Sequence, residues 1–206
     1  MLQYLNPEYL FATFGQLFFV VACLMIFAET GLLAGFFLPG DSLLFALGLF
    51  IATGQIDVPL WLAVTLLAIS AFAGDQTGYW IGRKLGPAVF NKPKSKLFKP
   101  ENVEAAHSFF ERYGSRAVIL AHFVPIMRTF IPVAAGVGNL SWRKFTMYNV
   151  IGVVVWGTGV TLLGYFLGSV PFVNEHVELV TLSFIALSFI PIGLEVLKAL
   201  RSKKSA

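Results

Sequence analysis

Lysine and arginine are missing from the first 82 residues, cysteine occurs once, and charged residues of every kind make up only 13% of the chain. Each scarcity excludes a class. A single cysteine, Cys23, excludes an intrachain disulfide framework and a zinc site built from cysteines; it reads as an inert buried residue. The apolar start lacks the cationic stretch of a secretory signal, and Val20-Val21-Ala22-Cys23 is a poor lipoprotein cleavage site because the apolar run continues past it. What fills the chain instead is apolar. Of its 206 residues 57% are hydrophobic, against about 45–50% in an ordinary soluble domain, and phenylalanine alone occurs 21 times. A soluble protein of this size could not hide so much apolar surface. The composition therefore excludes an ordinary cytosolic enzyme, a disordered chain and a soluble nucleic-acid binder, and it puts the protein in a bilayer.

The charge that is present is uneven. Residues 1–82 hold five acids (Glu8, Glu29, Asp41, Asp57, Asp75), while all 15 basic residues lie from Arg83 onward. Twelve of them fall in three short stretches beside apolar segments: Arg83 to Lys99, Arg143-Lys144, and the tail from Lys198 to Lys204. Such stretches read as cytoplasmic loops. Residues 168–178 carry acids but no Lys or Arg, which reads as the opposite face. Three segments are long and apolar enough for spanning helices, roughly 59–82, 145–167 and 177–197, and the run from Leu10 to Ala28 is also long enough.

Two apolar stretches do not read as spans. Pro39-Gly40-Asp41 interrupts residues 31–54, and residues 117–140 hold His122, Pro125, Arg128, Pro132, Gly136 and Gly138. Both are expected to be re-entrant helical hairpins, because broken backbone at membrane depth is tolerated only when buried in protein or lining an aqueous cavity. Between the halves, Val103, Ala106, Phe110 and Tyr113 share one helical face, with Pro100 at the start and Gly114 at the stop, which predicts an amphipathic interfacial helix over residues 101–114. A repeat links the halves. Gly78-Tyr79-Trp80-Ile81-Gly82 pairs with Gly164-Tyr165-Phe166-Leu167-Gly168, and Pro39 pairs with Pro125, both at an offset of 86. With the charge pattern, this predicts an all-α polytopic membrane protein with two inverted repeats, each a re-entrant hairpin followed by a transmembrane helix. The chain then forms a single membrane domain over 1–206. Residues 1–100 hold the N-terminal helix, first repeat and basic cytoplasmic loop, 101–114 the interfacial helix, 115–168 the second repeat, and 169–206 the last transmembrane helix and basic tail.

Glu29, Asp41, Asp75, His122 and Arg128 lie within or at the ends of apolar stretches, where a charge is expensive and marks a functional candidate. If the hairpin tips meet, the acids face the arginine. Glu29, Asp41 and Asp75 are the candidate proton-coupling residues. Arg128 and His122, with the helix-breaking Pro39, Gly40, Pro125, Pro132 and Gly136, form the candidate substrate-binding set, since a guanidinium fork suits a phosphate oxyanion. No metal or cofactor is expected: His122 has no second ligand at helical spacing, and His107 and His176 stand apart in sequence. Ser115-Arg116, five residues and His122 partly match a lipid-phosphate phosphatase motif, but the expected acid four residues on is Ile126 and the companion motifs are absent.

At Glu29-Thr-Gly-Leu, Phe37-Leu-Pro-Gly-Asp41-Ser-Leu-Leu, Gly74-Asp75-Gln-Thr-Gly-Tyr-Trp-Ile-Gly-Arg83 and Pro125-Ile-Met-Arg128-Thr-Phe-Ile-Pro132-Val-Ala-Ala-Gly136, the sequence resembles the DedA family of bacterial membrane proteins. That domain is shared with eukaryotic SNARE-associated Golgi and VTT-domain proteins. The resemblance implies a multi-pass protein of the bacterial plasma (inner) membrane with its C-terminus cytoplasmic. It also implies a flippase that moves an anionic lipid headgroup, of undecaprenyl phosphate or a phospholipid, with protons as the coupling partner. It implies an acidic pair at Glu29 and Asp41 and an arginine pair whose second member is Arg128; the first falls at His122, so this chain departs there. The expected partners are a lipid substrate and protons, with no nucleic acid, and a homo-oligomer is left open. An enzyme is not expected. A proton-coupled small-ion or solute antiporter is the alternative, followed by a lipid-phosphate hydrolase using His122 and by a scaffold whose charges are structural.

Overall fold

The structure, a computed structural model, describes residues 7–33, 35, 38–90, 110 and 112–170. The expected span at 177–197, most of the interfacial helix at 101–114, the basic loop beyond residue 90, the basic tail, His107 and His176 lie outside the described residues. Among the described residues every regular element is helical. In chain order they are α1 (Pro7–Phe14), a 3₁₀ turn (Gly15–Leu17), α2 (Phe18–Gly31), α3 (Gly40–Ala52), α4 (Leu60–Phe90), α5 (Ala117–Ala121), α6 (Pro125–Val137), α7 (Trp142–Val153), a π turn (Val154–Thr158) and α8 (Gly159–Gly168).

Each break has a local cause. The run from Leu10 to Ala28 is not one helix, because Gly15 adopts φ +54°, a left-handed backbone that glycine reaches without penalty. α3 starts behind Pro39. α6 starts at Pro125, with Val124 before it in extended conformation (φ −120°, ψ 109°), as the steric demand of proline on its predecessor requires. The second proline of that segment, Pro132, does not end the helix: it sits inside α6, which continues to Val137. α3 and α6 have 13 residues each, about 20 Å of helix, against a hydrocarbon core of about 30 Å. By contrast, Leu60–Lys84 and Trp142–Gly168 are each long and apolar enough to cross a membrane. Both coincide with spans expected from the sequence. Trp61, Ile69, Trp80, Val154, Val155, Leu163 and Phe166 point outward from them, a costly display in water and a neutral one in lipid.

The chain divides into two compact units. The first holds residues 1–22, 39–63 and 160–206, and contains α1, α3 and nearly all of α8. Its packing is aromatic at one end, where Phe11, Phe18 and Phe50 meet with centroids 5.0–5.9 Å apart. Elsewhere α3 and α8 touch backbone to backbone: a Cβ on Gly164 would strike the Phe45 carbonyl, and one on Gly48 the Thr161 carbonyl. The second unit holds residues 23–38 and 64–159. Tyr79 of α4 stacks on Phe145 of α7 at 4.7 Å, its hydroxyl donates to the Leu140 carbonyl at 2.6 Å, and Val118, Ile131 and Ala135 close over it. Here too glycines bring backbones together. A Cβ on Gly82 of α4 would strike the Val133 carbonyl of α6, and one on Gly136 the Tyr79 carbonyl. The repeated Gly-Tyr-x-x-Gly helices therefore play one part twice. In each unit the helix bearing that motif packs on the short proline-led helix of the other half of the chain.

Replacing Gly82 or Gly164 with valine is expected to cost about 1–3 kcal/mol or to prevent folding, read as a lower melting temperature in detergent. Gly159→Ala adds a carbon that meets nothing within 4 Å, and melting is expected to stay level or rise.

Candidate functional site

The second unit buries Glu29, Asp75, His122, Arg128 and Asn149, with Trp156 among them. Four come from the sequence candidates, and each is placed by a definite local device. Glu29 lies in the last turn of α2, which is held to α4 by the Thr30 hydroxyl donating to the Ala71 carbonyl at 3.1 Å and by direct backbone contact between Gly31 and Gly74. Asp75 follows Gly74 on α4. His122 caps the C-terminal end of α5. Arg128 stands one turn into α6, its amide donating to the Val124 carbonyl at 2.9 Å.

These four form two pairs. Arg128 Nη2 donates to Glu29 Oε1. His122 Nε2 lies 3.1 Å from Asp75 Oδ2, while His122 Nδ1 meets the Val118 carbonyl at 2.9 Å. Relative exposures are 2% for Glu29, 0% for Asp75, 3% for His122 and 2% for Arg128, so bulk water does not screen either pair. Trp156 stands at both. The Arg128 guanidinium carbon lies 4.2 Å above its ring, and the His122 ring lies 6.2 Å away centroid to centroid. A desolvated guanidinium on an indole is worth about 2 kcal/mol, which partly offsets the desolvation of the buried charges.

Two of these groups carried no weight in the sequence reading. Trp156 bears no charge and stands in an apolar run, and the π turn that aims it inward has no sequence mark; such turns recur at functional sites. Asn149 did leave a signal, as a polar residue inside the apolar 145–167 segment. It is fully buried on α7 beside Asp75, one turn before Gly152. Gly152 explains how His122 fits: a Cβ there would stand 2.5 Å from His122 Nδ1.

The remaining candidates are placed within their own units. Asp41 is in the first turn of α3, half-buried, in the first unit, where Pro39 and Gly40 are buried. Pro132 and Gly136 are buried where α6 packs on α4, Pro132 against Gly78 and Gly136 against Tyr79. Pro125 opens α6. Among the described residues no group of three or more His, Cys, Asp or Glu side chains is placed to hold a metal.

The arrangement defines a class: a helical membrane protein whose short broken helices carry buried acid–base pairs. Comparison with known proteins gives the family. The VTT domain matches residues 38–166. Protein DedA of Escherichia coli (strain K12) is 39% identical over 197 residues, covering 96% of this chain and 90% of that protein. An uncharacterized membrane protein of Mycobacterium tuberculosis (strain H37Rv), Rv0364, is 44% identical over 193 residues, covering 94% and 85%. The inner membrane protein YqjA of E. coli (strain K12) is 34% identical over 157 residues, covering 76% and 70%. The chain belongs to the VTT-domain family and, within it, to the DedA membrane proteins. No solved structure matches it.

Two measurements check the site. Gly152→Ala is expected to push the His122 ring from its seat and cost about 1–3 kcal/mol, read by thermal melting. Glu29→Gln leaves Arg128 without its carboxylate and is expected to cost about 3–5 kcal/mol. The double variant Glu29→Gln, Arg128→Gln is expected to cost less than the sum of the single changes, and melting of the four proteins of that cycle measures the coupling.

Proposed function

We propose that this protein moves an anionic lipid headgroup, that of a polyprenyl phosphate such as undecaprenyl phosphate or of a phospholipid, between the leaflets of the bacterial inner membrane, coupled to protons. The observation that carries the reading is Arg128, buried on Glu29 and laid against Trp156. A guanidinium fork binds phosphate oxygens in two parallel hydrogen bonds. While the site is empty, Glu29 neutralises it. A proton taken up by Glu29, with Asp41 as the second acid of the family pattern, releases the fork to the phosphate, and loss of that proton expels the headgroup. The cost of burying the charge is thus met by a partner that protonation can remove.

The architecture behind this reading is two inverted repeats in one membrane domain, with α3 and α6 as the descending arms of re-entrant hairpins, and with the C-terminus cytoplasmic. Its support is the 86-residue offset between Pro39 and Pro125 and between the Gly-Tyr-x-x-Gly motifs, together with the matching packing of α4 on α6 and of α8 on α3. A name of one relative, inner membrane protein, supports the location. The chain acts as a transporter and not as an enzyme. His122 makes a poor phosphoryl acceptor, since both of its ring nitrogens are engaged by Val118 and Asp75.

Reconstitution into liposomes with a headgroup-labelled polyprenyl phosphate or phosphatidate tests the proposal. Wild type is expected to translocate the label faster than protein-free vesicles, and Arg128→Ala to abolish the gain. Arg128→Lys is expected to lower it by tenfold or more, because a point charge replaces a two-pronged donor. Equal flux in wild type and Arg128→Ala rejects the assignment. Proton movement driven by small ions in vesicles without the labelled lipid would favour the antiporter instead.

A further inference from the structure

Beyond the Glu29–Arg128 pair, we infer that Asp75 and His122 form a buried one-proton binding site, and that its occupancy sets how strongly the protein's own anions hold Arg128. The second half of this rests on the role given to Arg128 above; the first does not.

The hydrogen-bonding capacities fix the proton count. His122 Nδ1 meets the Val118 carbonyl at 2.9 Å. A carbonyl only accepts, so Nδ1 carries a hydrogen. In a neutral ring Nε2 then presents a lone pair, and it faces Asp75 Oδ2 at 3.1 Å. That contact is attractive only with one proton between the two atoms: an aspartic acid donating to imidazole, or an imidazolium donating to carboxylate. Both forms hold the same number of protons and have no net charge. Removing the proton sets a carboxylate against a lone pair and leaves a bare negative charge on a side chain with 0% exposure.

The neighbourhood suits a carboxyl that changes state. The side chains acting on Asp75 are His122 from α5, Arg128 from α6 and Asn149 from α7. Glu29 of α2 lies beyond, on Arg128. Trp156 and Gly152 wall the His122 ring. Asn149, with 0% exposure, stands beside the Asp75 carboxyl and interacts with it. An amide offers a donor and an acceptor together, so it serves a carboxyl oxygen in either protonation state, directly or through one water.

The consequence for Arg128 is electrostatic. With the shared proton in place, the Asp75–His122 pair is neutral and adds no net charge to the pull of Glu29 on Arg128. Without it, the Asp75 carboxylate adds its attraction for Arg128 to that of Glu29, in a medium that screens weakly. Loss of the proton therefore tightens the hold of the protein on Arg128 against an anionic headgroup, and phosphate binding falls as pH rises through that loss. A permanent cation at position 122 would hold Asp75 neutralised at every pH. Histidine makes the pair a one-proton device.

The test uses the full chain with His107→Gln and His176→Gln, labelled with ¹⁵N-histidine and reconstituted in phospholipid bilayers. Nitrogen NMR across pH is expected to show Nδ1 protonated throughout below the loss and a single deprotonation step at the Asp75–His122 pair, absent from Asp75→Asn. A ring protonated on Nε2 alone, or a step unchanged by Asp75→Asn, overturns the proton site. In detergent, affinity for dihexanoyl phosphatidate is then measured over the same range. Wild type is expected to lose affinity across the pH of the NMR step, by up to about tenfold per pH unit, in addition to the dependence that Glu29 gives, while Asp75→Asn, and His122→Arg should the first fold poorly, keep only the Glu29 dependence. A wild-type slope retained in Asp75→Asn overturns the link to Arg128. No phosphatidate binding by wild type at any pH rejects the role given to Arg128 and the link with it, while the proton site stands or falls on the NMR result.

Discussion

An arginine removed from water must be met by an anion, by hydrogen-bond acceptors or by a polarisable face, and most of the second unit is arranged to meet one. Arg128 finds a carboxylate on α2 and an indole from the π turn after α7. Each of these needs its own scaffold. The carboxylate arrives because Thr30 and the Gly31–Gly74 contact hold α2 to α4. The indole arrives because the helix widens into a π turn, underwound by one residue, at Val154–Thr158. The adjoining pair reaches the same indole through His122, whose ring lies 6.2 Å from it centroid to centroid. Two buried pairs with a shared aromatic wall form a single electrostatic unit, in which neither charge pattern changes without the other responding.

The packing around this unit is of the kind lipid demands. Helices in a bilayer gain nothing from hiding apolar surface, so close backbone approach and dispersion must hold them together. Gly82 against Val133, Gly136 against Tyr79 and Gly164 against Phe45 provide that approach. Other large apolar side chains, Trp61, Trp80 and Phe166 among them, point outward, where a hydrocarbon solvent accepts them.

Much of this was legible in the sequence, for physical reasons. Long apolar runs over 59–82 and 145–167 carry the strongest signal a chain can give, and helices occupy both. Pro39 and Pro125 mark the starts of α3 and α6 because a ring without an N–H suits a first helical turn. Pro132 misleads for the complementary reason: packing of α6 on α4 outweighs its local cost, and the helix passes through it. Glu29, Asp75, His122 and Arg128 stood out because charge in an apolar stretch is expensive. Their pairing did not, since Asp75 and His122 are 47 residues apart and Glu29 and Arg128 are 99 apart, and no local pattern records such a distance. Trp156 was invisible: an aromatic in an apolar helix looks like every other lipid-facing ring, and only the π turn sets it apart. Asn149 was visible and went unused, because an uncharged side chain sounds a weaker alarm.

The backbone seams have a mechanical meaning. α2 meets α4 at Gly31 and Gly74, and α4 meets α6 at Gly82 and Gly136, with no side chain between them to act as a bearing. Glu29, Asp75 and Arg128 are thus bolted to one frame and cannot be drawn apart by sliding one rod past another. Whatever partner exchange Arg128 undergoes must come from swivelling about its own side-chain bonds, inside a frame that stays still.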